Sequence, residues 1–194
     1  MPKKLHVERP PLTVLKAELA RERYKRKYRH VLRNTMFSLV VVAAIAILAA
    51  TMWFPVMKIF GSSMTPTLQE GEIVVSIKGS SFQAGDVIGF YYGNKLLIKR
   101  YIAGPGDWVN ITDDGTVFVN EIELDEPYLT EKALGDCNIE LPYQVPDGRY
   151  FVIGDHRSTS LDSRNTVVGC IDKDQIVGKV VFRLWPLDAF GIID

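Results

Sequence analysis

Between Arg33 and Lys58 the chain carries no charged side chain, and from Met36 to Phe54 it is almost wholly apolar. Roughly 20 helical residues cross the ~30 Å hydrocarbon core of a bilayer. A helix also lets such a stretch cross without leaving unpaired peptide groups in lipid. One transmembrane helix is therefore expected, with the anchor at residues 35–57. A cleavable leader is the competing reading, since Ala49 and Ala50 are small enough for a cleavage site. The apolar part of a leader runs about 7–15 residues, however, and this one is longer and follows a long basic lead. No second span is expected, because the apolar segment from Ile176 to Ile193 is broken by Lys179, Arg183, Pro186 and Asp188.

The formal charge of the 194 residues is zero, but it is divided along the chain. Residues 1–34 hold 11 Lys/Arg against 3 Asp/Glu, a net +8, and the remainder holds 12 against 20, a net −8. Such an asymmetry speaks of partners or compartments. Nucleic acid is one partner for a basic tail; the lipid bilayer is the better one beside an apolar helix, and no nucleic-acid partner is expected. Positive charge stays on the cytoplasmic side, so the tail is read as cytoplasmic and residues from 58 onward as extracellular. Within the tail, Leu12 to Leu32 suits a solvated basic helix against anionic headgroups.

Past the anchor the pattern changes to short alternating apolar runs, which mark strands. Expected strands are Glu72–Ile77, Asp86–Tyr92, Lys95–Ile102, Trp108–Thr112, Thr116–Asn120, Arg149–Ile153 and Ile176–Trp185. Gly93-Asn94 and Asp113-Asp114-Gly115 suit hairpin turns. Residues 121–148, rich in acids and turn formers, read as an excursion with few strands. The fold class is mainly β: an antiparallel sheet domain preceded by one transmembrane helix. Cys137 and Cys170 both fall on the exported side, where a disulfide is permitted and two free thiols are equally compatible. No Cys/His pairing suggests a metal, and no cofactor is expected.

Chemistry concentrates in three stretches. The first, Gly61-Ser62-Ser63-Met64-Thr65-Pro66-Thr67-Leu68, follows directly on the apolar run. A serine needs a base to become a nucleophile. Of the histidines, His6 and His30 lie on the cytoplasmic side, and His156 would have to work with Asp155, which as its chain neighbour faces the other way on a strand. A lysine serves if burial brings its pKa down from about 10.4 toward operating pH. Lys99, in the second stretch Leu97-Ile98-Lys99-Arg100-Tyr101-Ile102-Ala103-Gly104-Pro105-Gly106-Asp107, shares a strand face with Leu97 and Tyr101 while Arg100 points away. The bland alternative is a lysine that snorkels from a strand edge. The third stretch is Gly154-Asp155-His156-Arg157-Ser158-Thr159-Ser160-Leu161-Asp162-Ser163-Arg164.

Together and in this order, the three stretches resemble the signature boxes of bacterial type I signal peptidases, membrane-anchored serine proteases with a lysine base. The resemblance covers most of residues 36–187 and looks like the single-span Gram-positive form. It implies a signal peptidase-like β fold, with a cytoplasmic tail at 1–34, an anchor at 35–57 and a peptidase domain at 58–194 outside the cell membrane. The substrates it implies are signal-peptide-bearing preproteins, cut after small residues through an acyl-enzyme. It makes Ser63 the nucleophile, Lys99 the general base and Ser160 the hydroxyl that hydrogen-bonds and orients Lys99, with Asp162 and Arg164 bracing the site from behind. For the oxyanion it implies the backbone amide of Ser63. Some relatives add a serine hydroxyl two positions earlier, and with Gly61 there the second donor becomes a backbone N–H or water. Ile59, Met64, Leu68, Leu97 and Ile98 are the implied lining of shallow substrate pockets, ordinary core packing being the alternative. Phe54, Val56 and Phe60 are expected to dip into the lipid interface. His156 departs from the Asn common at its position. Two rivals remain: a self-cleaving Ser-Lys repressor-type protease, against which the anchor argues, and a catalytically idle anchored β-domain that binds exported chains.

Overall fold

The computed structural model describes residues 11–193; the first ten residues of the basic tail, His6 among them, and Asp194 lie outside the described residues. The chain divides into two units, Met1–Ala49 and Ala50–Asp194. The described part of the first is helical from Leu12, and the helix, α1, runs Leu12–Trp53, its last turn belonging to the second unit. Its 42 residues give about 63 Å of length. No Gly or Pro interrupts it. The N–H groups of Val14 and Leu15 donate to Pro11 O at its start, and Phe54 N–H donates to Ala50 O at its end. It is long and apolar enough to cross a membrane.

The sequence pattern suggested two helical pieces, Leu12–Leu32 and an anchor reaching 57. The structure instead has one helix, and it stops at Trp53. Pro55 has no N–H to continue the ladder and disfavours the helical region for Phe54. The next residues, Val56–Lys58, pair as strand β1.

Eleven further strands follow: β2 Ile73–Lys78, β3 Val87–Tyr92, β4 Lys95–Ala103, β5 Trp108–Ile111, β6 Val117–Val119, β7 Ile122–Glu123, β8 Tyr143–Gln144, β9 Arg149–Ile153, β10 Ile171–Asp172, β11 Ile176–Trp185 and β12 Gly191–Ile192. One sheet has the order β1-β2-β11-β3-β4-β9-β10 with β12 on β11, and a smaller one has the order β7-β6-β5-β8. Every pairing is antiparallel. The domain is mainly antiparallel β, as its alternation indicates.

Both expected hairpins are present. Of the Gly93-Asn94 pair only Gly93 takes positive φ, at 56°, the pattern of a turn whose first central residue must be glycine-like. The 121–148 segment supplies only the two-residue strands β7 and β8. An unforeseen tight turn at Asn120-Glu121, both with positive φ, folds β7 back on β6. Its signal is weak because neither residue is glycine. The Asn120 side chain supports it, accepting from Trp108 N–H at 2.9 Å and donating to Asp107 at 2.8 Å.

Two features of the large sheet position the site. A core cluster of Met57, Ile59, Met64, Leu68, Val74, Val87, Val180 and Ile193 underlies the β1–β2 connection. Each such side chain contributes roughly 1.5–3 kcal/mol when fully buried, enough to hold that connection in one conformation. Second, β4 is paired on both edges only from Arg100 onward, where β9 joins it; residues 95–99 pair with β3 alone. The outer edge of β1 is likewise unpaired.

Candidate active site

The β1–β2 connection is closed at its base by Ile59 N–H to Glu72 O at 2.8 Å and Gly71 N–H to Ile59 O at 3.0 Å. Inside it, Thr65 N–H donates to Ser62 O and Leu68 N–H to Met64 O. With Met64 and Leu68 sunk in the core, the intervening geometry leaves Ser63 half-buried at the cleft surface. Neither Ser63 N–H nor Gly61 N–H donates to another backbone group among the described residues.

Lys99 approaches from β4, where it lies opposite Ile88. It is 4% exposed, and its Nζ sits 2.6 Å from Ser63 Oγ. Burial drags its pKa from 10.5 to about 8; the carboxylates of Asp162 and Asp155 oppose this, while the Arg164 cation assists it. Loss of hydration outweighs the two anions because no carboxylate lies within ion-pair distance of Nζ among the described residues.

The third stretch leaves β9 at Ile153 and passes directly beneath the turn that carries Ser63. His156 N–H donates to Ser63 O at 3.1 Å. At Gly154 the two loops touch: a Cβ there would overlap Ser160 Oγ and lie 2.5 Å from Ser63 O. Asp162 and Arg164 are both fully buried. The guanidinium donates to both carboxylate oxygens at 2.9 Å, to Leu134 O at 2.7 Å and to Ser160 O at 3.3 Å. Asp162 also accepts from Gly154 N–H at 2.9 Å. The pair thus fixes the loop under Ser63.

Two expectations fail. Ser160 Oγ is buried with no hydrogen-bond partner among the described residues, so the expected bond to Lys99 is not made; the Lys99 amine meets Ser63 Oγ. Leu68 does not line the cleft. It is 0% exposed and belongs to the core, because its N–H closes a helical turn back to Met64 and turns the side chain inward. Ile59, Met64, Leu97 and Ile98 do line it, in a cleft of about 480 Å³ that also includes Gly61, Ser63 and Lys99. Val56, Met57, Lys58, Phe60, Lys95 and Leu96 complete the lining and were not anticipated there. Their common signal is adjacency to the two unpaired strand edges.

Sequence reasoning also missed two more buried ion pairs. Arg100 donates to both oxygens of Asp155, at 2.9 and 2.7 Å, and stacks 3.6 Å over the Tyr128 ring. Thr67 Oγ1 donates to the same carboxylate. With both oxygens engaged, Asp155 does not serve His156, and the triad reading fails. Arg157 pairs with Glu126, which accepts from Tyr128 O–H at 2.8 Å. Burial raises the Tyr128 pKa, and the neighbouring Glu126 carboxylate raises it further. Cys137 and Cys170 are free thiols; burial pushes the Cys170 thiol up to about 11.

A family model described as signal peptidase, peptidase S26, matches residues 32–185. The chain is 40% identical over 150 residues to signal peptidase IB of Staphylococcus aureus, covering 67% of this chain and 77% of that one. It is 34% identical over 182 residues to signal peptidase I of Bacillus licheniformis, covering 84% and 95%. A crystal structure of a signal peptidase I from Enterococcus faecalis aligns with a TM-score of 0.42 at 28% identity, over 52% of this chain and 97% of that chain. A lysine pressed against a serine, held by the three ordered boxes and matched along most of the chain, identifies the protein as a member of the signal peptidase family, peptidase S26.

Proposed function

We propose that this protein is a membrane-bound serine endopeptidase that removes signal peptides from exported preproteins through a Ser63–Lys99 dyad. The observation that carries the reading is the 2.6 Å approach of a buried, pKa-depressed amine to a serine hydroxyl at the floor of an open cleft. Neutral Lys99 takes the Ser63 proton as Oγ attacks the scissile carbonyl. The N–H groups of Ser63 and Gly61 meet the oxyanion; one such donor is worth roughly 2.7–4 kcal/mol. Protonated Lys99 then gives its proton to the leaving amine. In deacylation it takes a proton from the attacking water and returns it to Ser63. Asp162 and Arg164 support this by fixing the loop beneath Ser63. Ser160 Oγ, buried and uncommitted, is free to take up the Lys99 ammonium once the amine has left Ser63.

The unpaired edges of β1 and of β4 at residues 95–99 flank the cleft, so an extended chain binds between them as an added strand. Ile59, Met64, Leu97 and Ile98 then face its side chains and favour small ones near the cut. The charge-free half of α1 anchors the protein as a single pass, with the tail at 1–34 inside and the domain outside. Phe54, Val56 and Phe60, together with Trp185, Leu187, Phe190 and Ile192, all exposed, supply the apolar surface that meets lipid. The test is cleavage of a preprotein by the purified full chain in detergent. Ser63→Ala and Lys99→Ala are each expected to abolish it with the fold intact, and cleavage that survives both changes refutes the dyad.

A further inference from the structure

Beyond the backbone bond from His156 N–H to Ser63 O, the His156 side chain also grips the nucleophile turn. Its Nδ1 lies 3.3 Å from Thr65 Oγ1. Thr65 Oγ1 has a single proton, and it donates that proton to Ser62 O at 2.8 Å. The hydroxyl therefore has only lone pairs left for the imidazole. The donor between ring and hydroxyl must be the ring, so the proton sits on Nδ1. The result is a chain, His156 Nδ1–H to Thr65 Oγ1–H to Ser62 O, running across the turn that presents Ser63. The next residue back, Asp155, reaches the far end of the same turn through Thr67. Consecutive residues thus hold the nucleophile segment at two points, Thr65 and Thr67, both just after Ser63 along the chain.

We infer that His156 is a positioning residue for Ser63, acting through the Thr65 hydroxyl as a hydrogen-bond donor rather than as a base. The inference rests on the reading of Ser63 as nucleophile. Only the proton on Nδ1 is used, and that atom stands two bonds beyond Cβ, where an asparagine carries its amide nitrogen. Asn at 156 can therefore donate to Thr65 Oγ1 as the imidazole does. Ala cannot, and neither can Val at 65 relay the bond. A nucleophile displaced by a fraction of an ångström loses turnover more than binding, so the effect falls on kcat.

The experiment measures kcat and KM for signal-peptide cleavage by the full chain and by His156→Ala, His156→Asn, Thr65→Val and the His156→Ala/Thr65→Val double variant. Thermal melts are recorded for each, and Ser63→Ala serves as the control. Expected are a kcat on the order of tenfold lower for His156→Ala and for Thr65→Val, with KM little changed. The double variant is expected to be no slower than either single one, and His156→Asn to restore most of the loss. Side-chain nitrogen NMR of the neutral His156 ring should show Nδ1 protonated and Nε2 bare. Wild-type kcat in His156→Ala, an Asn variant as slow as Ala, or an Nε2–H tautomer overturns the inference. If Ser63→Ala still cleaves, the nucleophile assignment itself falls, an outcome the control separates from the others.

Discussion

Lys99 and Arg100 are consecutive cations on one strand, and the two faces of β4 give them opposite electrostatic environments. Arg100 meets a carboxylate, Asp155, in a two-pronged pair with Tyr128 stacked above. Lys99 meets a hydroxyl. A guanidinium keeps its proton in any protein environment, so burial demands an anion for it; an ammonium can answer burial by letting the proton go. The strand's alternation thus separates a structural charge from a titratable one.

This division predicts the pH dependence of catalysis. With Lys99 as the proposed base, the neutral amine is the form that works, and burial lowers its pKa to about 8. kcat/KM should therefore climb as pH rises through about 8 and level off above it. A climb centred near 6.5, insensitive to Lys99, would point to histidine instead. Lys99→Arg should be inactive at every pH, since its charge does not titrate in that range.

The same amine destabilises the fold at neutral pH. Its pKa is lower folded than unfolded, so below about 8 both states hold the proton and the buried ammonium costs the native state. Stability should recover as pH rises from about 8 toward 10.5, where only the unfolded chain remains protonated. The difference corresponds to about 3 kcal/mol. Lys99→Met should thus raise Tm at pH 7 while abolishing cleavage, and thermal melts across pH read both effects. A lower Tm for this variant at pH 7 would contradict the assignment of the amine as buried and strained.

Asp162 and Arg164 offer a contrast with ion pairs at the surface. Asp162→Ala leaves a guanidinium buried without its anion, and such losses run about 3–5 kcal/mol. Glu123→Ala removes the partner of Lys132 from a pair 3.2 Å apart with side chains 40% and 59% exposed. That loss should stay below about 1 kcal/mol. Urea titration of the two variants measures the difference.

Leu68 and Leu97 should fail in different ways. Leu68→Ala empties a fully enclosed core site under the Ser63 turn and should cost about 2–5 kcal/mol of stability. Leu97→Ala widens the cleft, so it should relax the preference for small substrate residues with a smaller loss of stability. Melting temperatures and cleavage of a substrate series distinguish them.

What the chain reveals unaided follows the range of each signal. Lys99 was legible because two-residue alternation is local: a charge between Leu97 and Tyr101 stands out. Ser63, Asp162 and Arg164 were legible as members of short ordered boxes. Glu126 was not, because its partner Arg157 lies 31 residues away and nothing beside Glu126 distinguishes it from the other acids of 121–148. Leu68 misled because apolar character does not say which wall a side chain faces; a single turn of backbone, from Met64 to Leu68, decides that. Ser160 shows the remaining limit. Its place beside Lys99 was implied by the resemblance, but whether its hydroxyl meets the amine is decided by side-chain placement, and among the described residues that hydroxyl has no partner.

Gly154 carries a lesson for anyone probing this protein by alanine scanning. Elsewhere that scan subtracts atoms; here it would insert one, into the seam where the loop from β9 touches Ser160 and the backbone of Ser63. The mildest reagent in the mutational repertoire becomes the bluntest at this spot, and a collapse in turnover there would record crowding, not the removal of any chemical group.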